Sequence, residues 1–206
     1  MRVFVGVTGG SGARFAQRTL AGLSAAGCDI GLAVSGHGVE VIAHELFDLP
    51  PHLAELDADD VVGRFVAGGR GEGPITVYGL DDYRAPHASG SGLADAAIVV
   101  PCSMATVGAI AAGLSQNLIQ RTADVMLKER RRLVICPRET PLSEIHLENL
   151  LRLTRAGAIV APLAPGWYAK PRDLEDLADF MAGKLLTVLG LPHDLLAVWG
   201  EPAPDR

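Results

Sequence analysis

Residues 2–27, RVFVGVTGGSGARFAQRTLAGLSAAG, decide the fold that we predict for this chain. A short apolar run ends at Val7, a glycine-rich loop follows, and residues 12–26 have the apolar periodicity of a helix. This order is typical of a nucleotide-binding α/β unit, because glycine lets the backbone approach a phosphate at the helix N-terminus. For the loop alone, a tight turn without a ligand is the alternative.

The rest of the chain repeats this alternation of short apolar runs and longer helical patterns. Near-continuous apolar runs are typical of parallel strands that are covered on both faces. Further strands are predicted in DIGLAV, AAIVVP, RLVICP and GAIVAP, with PITVYG as the one strand of the weaker region 48–93. Helices are predicted over residues 38–47, 104–113, 117–130, 143–156 and 173–189, the last between an Asp173 N-cap and a Gly190 stop.

We therefore predict an α/β fold, a Rossmann-like (flavodoxin-like) three-layer sandwich with a mainly parallel sheet. With 206 residues, 49% of them hydrophobic, the chain can bury the core of one domain. We place this single domain at residues 1–190 and a C-terminal extension at residues 191–206.

Charge and cysteine usage exclude several classes of function. A net charge of −6 disfavours a nucleic-acid partner. The wide spacing of the three cysteines disfavours both a disulfide framework and a structural zinc site, which fits a reducing cytoplasm. Residues 1–7 are too short for a signal peptide, and no apolar run approaches the roughly 20 residues of a membrane span. We expect a soluble, cytoplasmic protein without a metal.

The opening loop departs from both familiar nucleotide-binding motifs. A P-loop needs a Lys after its last glycine, but Ala13 and Arg14 follow Gly12. A dinucleotide fold needs an acidic residue near the end of the second strand, where this chain has Ser35. Ser11, at the helix start, instead adds a hydroxyl to free N–H groups that suit a phosphate or the edge of a flavin.

The strand that ends at Pro101 repeats this theme. Ser103 and Thr106 open the next helix, where hydroxyls and free N–H groups suit a single phosphate. A simple helix cap by Ser103 is the alternative. Cys102 is disfavoured as a nucleophile, because no His lies near it in the sequence and small buried cysteines are common.

The segment RTADVMLKERRRLVICPRET carries the densest chemistry. Arg121 and Lys128 are seven residues apart, so they share one side of a helix and could clamp an anion. Arg138 and Glu139 follow the next strand, at the sheet edge where open α/β folds bind ligands, and Glu139 could move a proton. The later loop APLAPGWYAKP presents Tyr168, which either hydrogen-bonds a phosphate or packs within the loop.

Several motifs together resemble one family. The segments GVTGGSGA, VSGHGVEVIAHE, APHASGS, VVPCSMATVGAIAAG, RETPLSEIHLENL and PGWYAKP are similar to those of UbiX-type flavin prenyltransferases, relatives of the flavin-dependent cysteine decarboxylases. The resemblance implies a flavoprotein that joins a dimethylallyl group, taken from dimethylallyl phosphate, to N5 and C6 of reduced FMN without a metal. It also implies a homododecamer with sites between subunits, and prenylated FMN as a cofactor for UbiD-type decarboxylases, as in ubiquinone biosynthesis.

The resemblance assigns roles to individual residues. It implies a catalytic group of Ser11, Glu45 and Glu139. For FMN it implies Gly9, Gly10, Ser11, Ser35, Ser103, Met104, Ala105, Thr106 and Arg138. For dimethylallyl phosphate it implies Arg121, Lys128, Tyr168 and Lys184, with an aromatic wall from Trp167 or Trp199.

The chain departs from the family pattern at a few positions. Lys184 stands where Arg is usual, which replaces a planar fork by a point charge. Gly10 replaces Ala, Ala105 replaces a frequent Lys, Gly92 replaces Phe and Val198 replaces Arg. An FMN-dependent cysteine-type decarboxylase and a non-catalytic flavin-binding subunit remain the alternative functions.

Overall fold

The centre of the computed structural model, which describes residues 1–50, 52–92 and 94–196, is a six-stranded parallel sheet. The strands are β1 Arg2–Val7, β2 Asp29–Val34, β3 Ile75–Val77, β4 Ala96–Cys102, β5 Arg132–Pro137 and β6 Ile159–Val160. Their spatial order, β3-β2-β1-β4-β5-β6, is that of a doubly wound Rossmann sheet. The predicted strands and the parallel sheet are confirmed.

Helices cover both faces of this sheet, as the three-layer prediction requires. They are α1 Ala13–Ala25, α2 Gly36–Phe47, α3 Ala58–Gly68, α4 Met104–Ala111, α5 Leu118–Lys128, α6 Glu144–Ala156 and α7 Leu174–Leu189. The first three and α7 lie on one face, and α4, α5 and α6 lie on the other. The six predicted helices are confirmed to within two residues at each end, and so are the Asp173 N-cap and the Gly190 stop of α7.

The strands form because their side chains are apolar on both sides. Along β1, Val5 lies between Leu32 of β2 and Ile98 of β4 and points into the core under α1. Phe4, its neighbour in the chain, points to the opposite face and belongs to the core under α4 and α5. A sheet buried on both faces holds such runs in place, because exposing either set of side chains would lose apolar burial.

Helix α3 was not predicted, so the interpretation of residues 48–93 as an elaboration with one strand was incomplete. Asp57 caps this helix and accepts hydrogen bonds from the N–H groups of Asp59 and Asp60, each at 3.1 Å. Val61 and Phe65, one turn apart, are buried in the core under α1. The acidic cluster therefore starts a helix, because a carboxylate is favourable at a helix N-terminus.

The chain reverses its winding between β1 and β4. Helix α1 follows β1 on one face, whereas α4 follows β4 on the other, so the carboxyl ends of these strands border a crevice. The Thr8 N–H donates to the Pro101 carbonyl at 3.1 Å across this point. No helix in the described ranges is long and apolar enough to cross a membrane.

Candidate functional site

Hydrogen bonds join the carboxyl ends of β1, β4 and β5 into one rim, which we define as residues 8–11, 101–106 and 138–139. The Thr8 hydroxyl donates to the Pro101 carbonyl at 3.0 Å and accepts from the Ser103 N–H at 2.8 Å. Arg138 Nε donates to the Ser11 carbonyl at 3.1 Å. Thr8 was missed by the sequence analysis; its place directly after an apolar strand was the available signal.

Two serines of the predicted site cap helices at this end of the sheet. Ser103 Oγ accepts from the Thr106 N–H at 3.3 Å and lies 3.1 Å from the Thr106 hydroxyl. Ser35 Oγ accepts from the Gly38 N–H at 3.0 Å at the start of α2. Met104 is buried, whereas Ala105 is exposed beside the two hydroxyls. The capping interpretation of Ser103 is thus confirmed, and its role toward a ligand stays a prediction.

Glu45 occupies part of the N–H array that we expected to face a phosphate. Its carboxylate accepts from the Gly12 N–H at 2.9 Å and from the Ala13 N–H at 2.7 Å. The expectation that these N–H groups are free is therefore wrong, because a carboxylate from α2 neutralises the positive end of α1. Glu45 holds the loop that carries Ser11, and this contact brings two members of the predicted catalytic group together.

Close packing explains the two glycines before Ser11. A Cβ atom on Gly9 would lie 2.6 Å from the Cβ of His37 on α2. A Cβ atom on Gly10 would lie 3.2 Å from the Cβ of Pro101, a contact that a small shift could relieve. The loop is thus pressed between α2 and the end of β4, which leaves its backbone at the rim.

The third predicted catalytic residue, Glu139, is exposed next to Arg138. Its carboxylate accepts from the Thr140 N–H at 3.0 Å and is open to solvent at the carboxyl end of β5. By contrast, Cys102 is fully buried, and burial raises the pKa of its thiol far above the ordinary value. The rejection of Cys102 as a nucleophile is therefore supported, because a buried thiol stays protonated.

Arg121 and Lys128 lie on the same side of α5, as their spacing predicted. Both contact one stretch of chain, residues 86–92, which we call the 86–92 segment. Arg121 Nε donates to the Ala88 carbonyl at 3.0 Å, and its Nη1 donates to Asp124 at 3.0 Å. Lys128 Nζ pairs with Glu129 and lies beside Gly90. This ammonium lowers the pKa of Glu129.

Tyr168 and Lys184 lie on the other face of the sheet. The Tyr168 ring contacts Phe180 of α7 edge-on, with 5.6 Å between the ring centroids. Lys184 is exposed on α7, which packs against α1, whereas α5 belongs to the opposite core. One subunit therefore does not bring all four predicted phosphate ligands together. Trp167 is 75% exposed, and Trp199 and Val198 lie outside the described residues.

The rim suits a flavin mononucleotide by its chemistry. The rim carries two hydroxyls, a helix N-terminus and a guanidinium, which are groups that bind phosphate in proteins, and the close-packed glycine loop lies beside them. Within the described ranges, no three His, Cys, Asp or Glu side chains cluster as a metal site.

Comparison with known proteins identifies the family. A family model described as Flavoprotein matches residues 1–186. Flavin prenyltransferase UbiX of Halalkalibacterium halodurans is 45% identical over 197 residues, which cover 96% of this chain and 92% of the relative. The chain belongs to the UbiX flavin prenyltransferase family. UbiX proteins of known structure share its fold.

Three solved structures place this UbiX family member among its neighbours. AnUbiX (PadA1), in complex with FMN and dimethylallyl pyrophosphate, has a TM-score of 0.83 and 39% identity, with 97% of each chain covered. A dodecameric FMN-dependent UbiX-like decarboxylase from Escherichia coli O157:H7 has a TM-score of 0.81 and 34% identity, covering 98% of this chain and all of that one. The cysteine decarboxylase TvaF, at 19% identity and TM-score 0.54 over 78% and 89% of the chains, shares the fold alone.

Proposed function

We propose that this protein joins the dimethylallyl group of dimethylallyl phosphate to N5 and C6 of reduced FMN. The observation that carries the proposal is the rim, where the loops after β1, β4 and β5 meet at the reversal point of the sheet. The UbiX relative bound to FMN and a dimethylallyl donor supports the same reaction class. The product would be prenylated FMN.

The FMN phosphate would bind at the hydroxyl end of the rim. Ser103 and Thr106 place two hydroxyls at the N-terminus of α4, and Arg138 adds a guanidinium that is fixed by the Ser11 carbonyl. Ser35 lies at the carboxyl end of β2, where α2 begins. When bound, reduced FMN supplies the nucleophilic atoms of the reaction.

The cations and Tyr168 would stabilise the leaving phosphate. Breaking the allylic C–O bond places negative charge on this phosphate, and charged donors stabilise that charge in the transition state. Arg121 and Lys128 would exchange their carboxylate partners Asp124 and Glu129 for the phosphate oxygens. Each hydrogen bond to a charged group contributes about 1.5–3 kcal/mol.

Glu139 would move the proton that the reaction must transfer. Its carboxylate is exposed at the rim next to Arg138, within the same strand end that contacts the Ser11 carbonyl. Ser11 would hydrogen-bond near the reacting edge of the flavin, and Glu45 would hold the Ser11 loop through the Gly12 and Ala13 N–H groups. These residues form the catalytic group that we propose.

The complete site would require neighbouring copies of the chain. Arg121 and Lys128 lie on one face of the sheet and Tyr168 and Lys184 on the other, so two copies can combine what one keeps apart. Helix α6 also exposes Leu147 and Leu151, which are one turn apart and form an apolar patch that a second copy would cover, and it exposes Ile145 on another side. We propose a homo-oligomer, with the dodecamer described for the Escherichia coli relative as the expected size.

The family resemblance implies a use for the product. Prenylated FMN is of use only to an enzyme that takes it up, and we propose a UbiD-type decarboxylase as that partner. Ubiquinone biosynthesis is one setting for such a pair, in the cytoplasm. The family resemblance supports these assignments.

Mass spectrometry of the released flavin tests the proposed function. The purified protein would be incubated anaerobically with reduced FMN and dimethylallyl phosphate, with a no-protein sample as the control. We expect FMN heavier by one isoprene unit only in the presence of protein. Unmodified FMN beside intact donor would contradict the proposal, and decarboxylation of a peptide with a C-terminal cysteine would then support the decarboxylase alternative.

A further inference from the structure

His87 is a buried imidazole at the base of the 86–92 segment. It lies in the short turn Pro86–Ala88 and is 6% exposed. Its ring centroid lies 5.1 Å from that of Phe4 on β1 and 5.4 Å from that of Tyr78, which meets it edge-on. A Cβ atom on Gly31 of β2 would lie 2.2 Å from Nε2, so the ring rests directly on the backbone of that strand.

The ring is held by these packing contacts and not by a hydrogen bond at Nδ1. This atom has no hydrogen-bond partner among the described residues, and burial lowers the pKa of the imidazole below its ordinary value. Asp29 and Arg2, at the starts of β2 and β1, act on that pKa in opposite directions. The neutral ring thus serves as a flat aromatic wedge between the sheet and the turn.

The residues that follow His87 contact Arg121 and Lys128, the two cations of α5. The next carbonyl after His87, that of Ala88, accepts the hydrogen bond from Arg121 Nε at 3.0 Å. Two residues later, a Cβ atom on Gly90 would lie 3.2 Å from Lys128 Nζ. The turn also packs along α5. The position of the buried ring therefore sets the position of the backbone that Arg121 and Lys128 contact.

We propose that His87 is a positioning residue for the phosphate end of the prenyl donor. By anchoring the 86–92 segment on Gly31, Phe4 and Tyr78, it fixes the Ala88 carbonyl and so aims the Arg121 guanidinium. The same segment limits where the Lys128 ammonium can lie. This inference rests on the proposed function, because it assigns Arg121 and Lys128 to the donor phosphate. It extends the site to a residue that touches no substrate.

Binding of the donor to the FMN-loaded protein tests this inference, with His87→Ala and His87→Phe as the variants. Calorimetry would measure Kd for dimethylallyl phosphate, and a second titration would measure Kd for FMN. We expect His87→Ala to raise the donor Kd about tenfold, the size expected for one misdirected charged hydrogen bond. The FMN Kd should stay within about threefold, because the rim does not depend on this turn. His87→Phe keeps a planar ring and should restore donor binding to within about threefold of wild type.

Phe65→Ala is the matched control for general loosening. Phe65 is a buried ring in α3, on the opposite face of the sheet from His87. It should lower the melting temperature as His87→Ala does and leave the donor Kd unchanged. If His87→Ala fails to fold, His87→Val, which keeps part of the buried volume, gives the same comparison.

Three outcomes separate this inference from the proposed function. An unchanged donor Kd in His87→Ala overturns the inference, and so does an equal loss of donor and FMN binding in His87→Ala and Phe65→Ala. A wild-type protein that binds the donor but forms no prenylated FMN contradicts the proposed function alone. In that case the donor Kd of His87→Ala still supports or overturns the positioning role.

Discussion

The rim and the four phosphate ligands of the proposed site are built in different ways. The rim is complete within one subunit, where Thr8, Ser103, Ser11 and Arg138 are joined by hydrogen bonds of 2.8–3.1 Å. The phosphate ligands are divided, with Arg121 and Lys128 on the α5 face and Tyr168 and Lys184 on the α7 face. A doubly wound sheet brings its strand ends together in every copy, whereas residues on opposite faces can meet only through association.

The two regions also differ in the partners that their polar groups have. At the rim, the Ser103 N–H donates a hydrogen bond to the Thr8 hydroxyl, and the Arg138 guanidinium donates one to the Ser11 carbonyl. On α5, Arg121 pairs with the half-buried carboxylate of Asp124, and Lys128 pairs with the exposed carboxylate of Glu129. Exposed ion pairs contribute little to stability, so these cations can change partners when a phosphate arrives.

The largest expected effect concerns the rim. Replacing Glu139 by Gln keeps its shape but removes the group that transfers the proton, so the rate of prenylated FMN formation should fall about 10²-fold or more. The FMN Kd should remain that of wild type. Mass spectrometry of the released flavin over time measures the rate.

Glu72→Gln is the control for this change, because Glu72 is an exposed carboxylate in the loop before β3. Prenyl transfer at the wild-type rate by Glu139→Gln would refute the catalytic role of the rim carboxylate.

The next prediction tests the division of the phosphate ligands between copies. Arg121→Ala and Tyr168→Phe, each purified alone, should lose about 10-fold or more in kcat/KM, the value of one charged hydrogen bond. Subunits of the two variants, dissociated and reassembled in equal amounts, should regain activity, because some sites then receive both intact halves.

The expected recovery is about one quarter of the wild-type rate for random assortment around symmetric interfaces. A mixture of Arg121→Ala and Lys128→Ala subunits is the control, because both residues lie on the same α5 and cannot complement each other. No recovery in the first mixture would place the whole site within one copy.

A smaller effect is expected for the Glu45 carboxylate that holds the Ser11 loop. Glu45→Gln weakens the contact with the Gly12 and Ala13 N–H groups at the start of α1. The free energy of unfolding should fall by about 1 kcal/mol, as for the loss of a helix cap. Urea denaturation measures this change. Glu55→Gln, an exposed carboxylate near α3, should leave the urea midpoint unchanged.

The smallest expected effect is the pH dependence of stability at His87. Because burial lowers the pKa of His87 in the folded state, the unfolded chain binds the proton more tightly. The stability that the neutral ring contributes is therefore present above the ordinary His pKa and is lost as the pH falls through the lowered pKa. Between about pH 7.5 and about pH 5, the unfolding free energy of wild type should therefore fall relative to that of His87→Phe.

Urea midpoints of both proteins at the two pH values check this prediction. The other five histidines occur in both proteins, so their contributions cancel. A difference that does not change with pH would show that His87 titrates normally.

Local patterns predicted the helices and strands well, except where two signals competed. In residues 48–93, the acidic run at the start of α3 indicated a loop, although Asp57 caps a helix and Val61 and Phe65 form its buried side. Turn residues and helix caps are the same residue types, so only the buried partners of α3 distinguish the two.

The candidate site was predictable in part. Residues next to strand ends, such as Ser103 and Arg138, could be placed at one sheet edge because parallel strands end together. The contact of Glu45 with the start of α1 could not, because it joins residues 33 positions apart through the packing of α2. Thr8 and His87 lie within the segments GVTGGSGA and APHASGS, but no role was predicted for either, because their contacts depend on packing.

The sequence by itself determined the parallel α/β sandwich and the position of its ligand edge. Near-continuous apolar runs separated by amphipathic helices can be buried only in a sheet that is covered on both faces. Only the tertiary structure decided which polar groups meet there. The bonds from Ser103 to Thr8 and from Arg138 to Ser11 join residues 95 and 127 positions apart. Such contacts depend on how strands and helices pack, and no local pattern of residues encodes that packing.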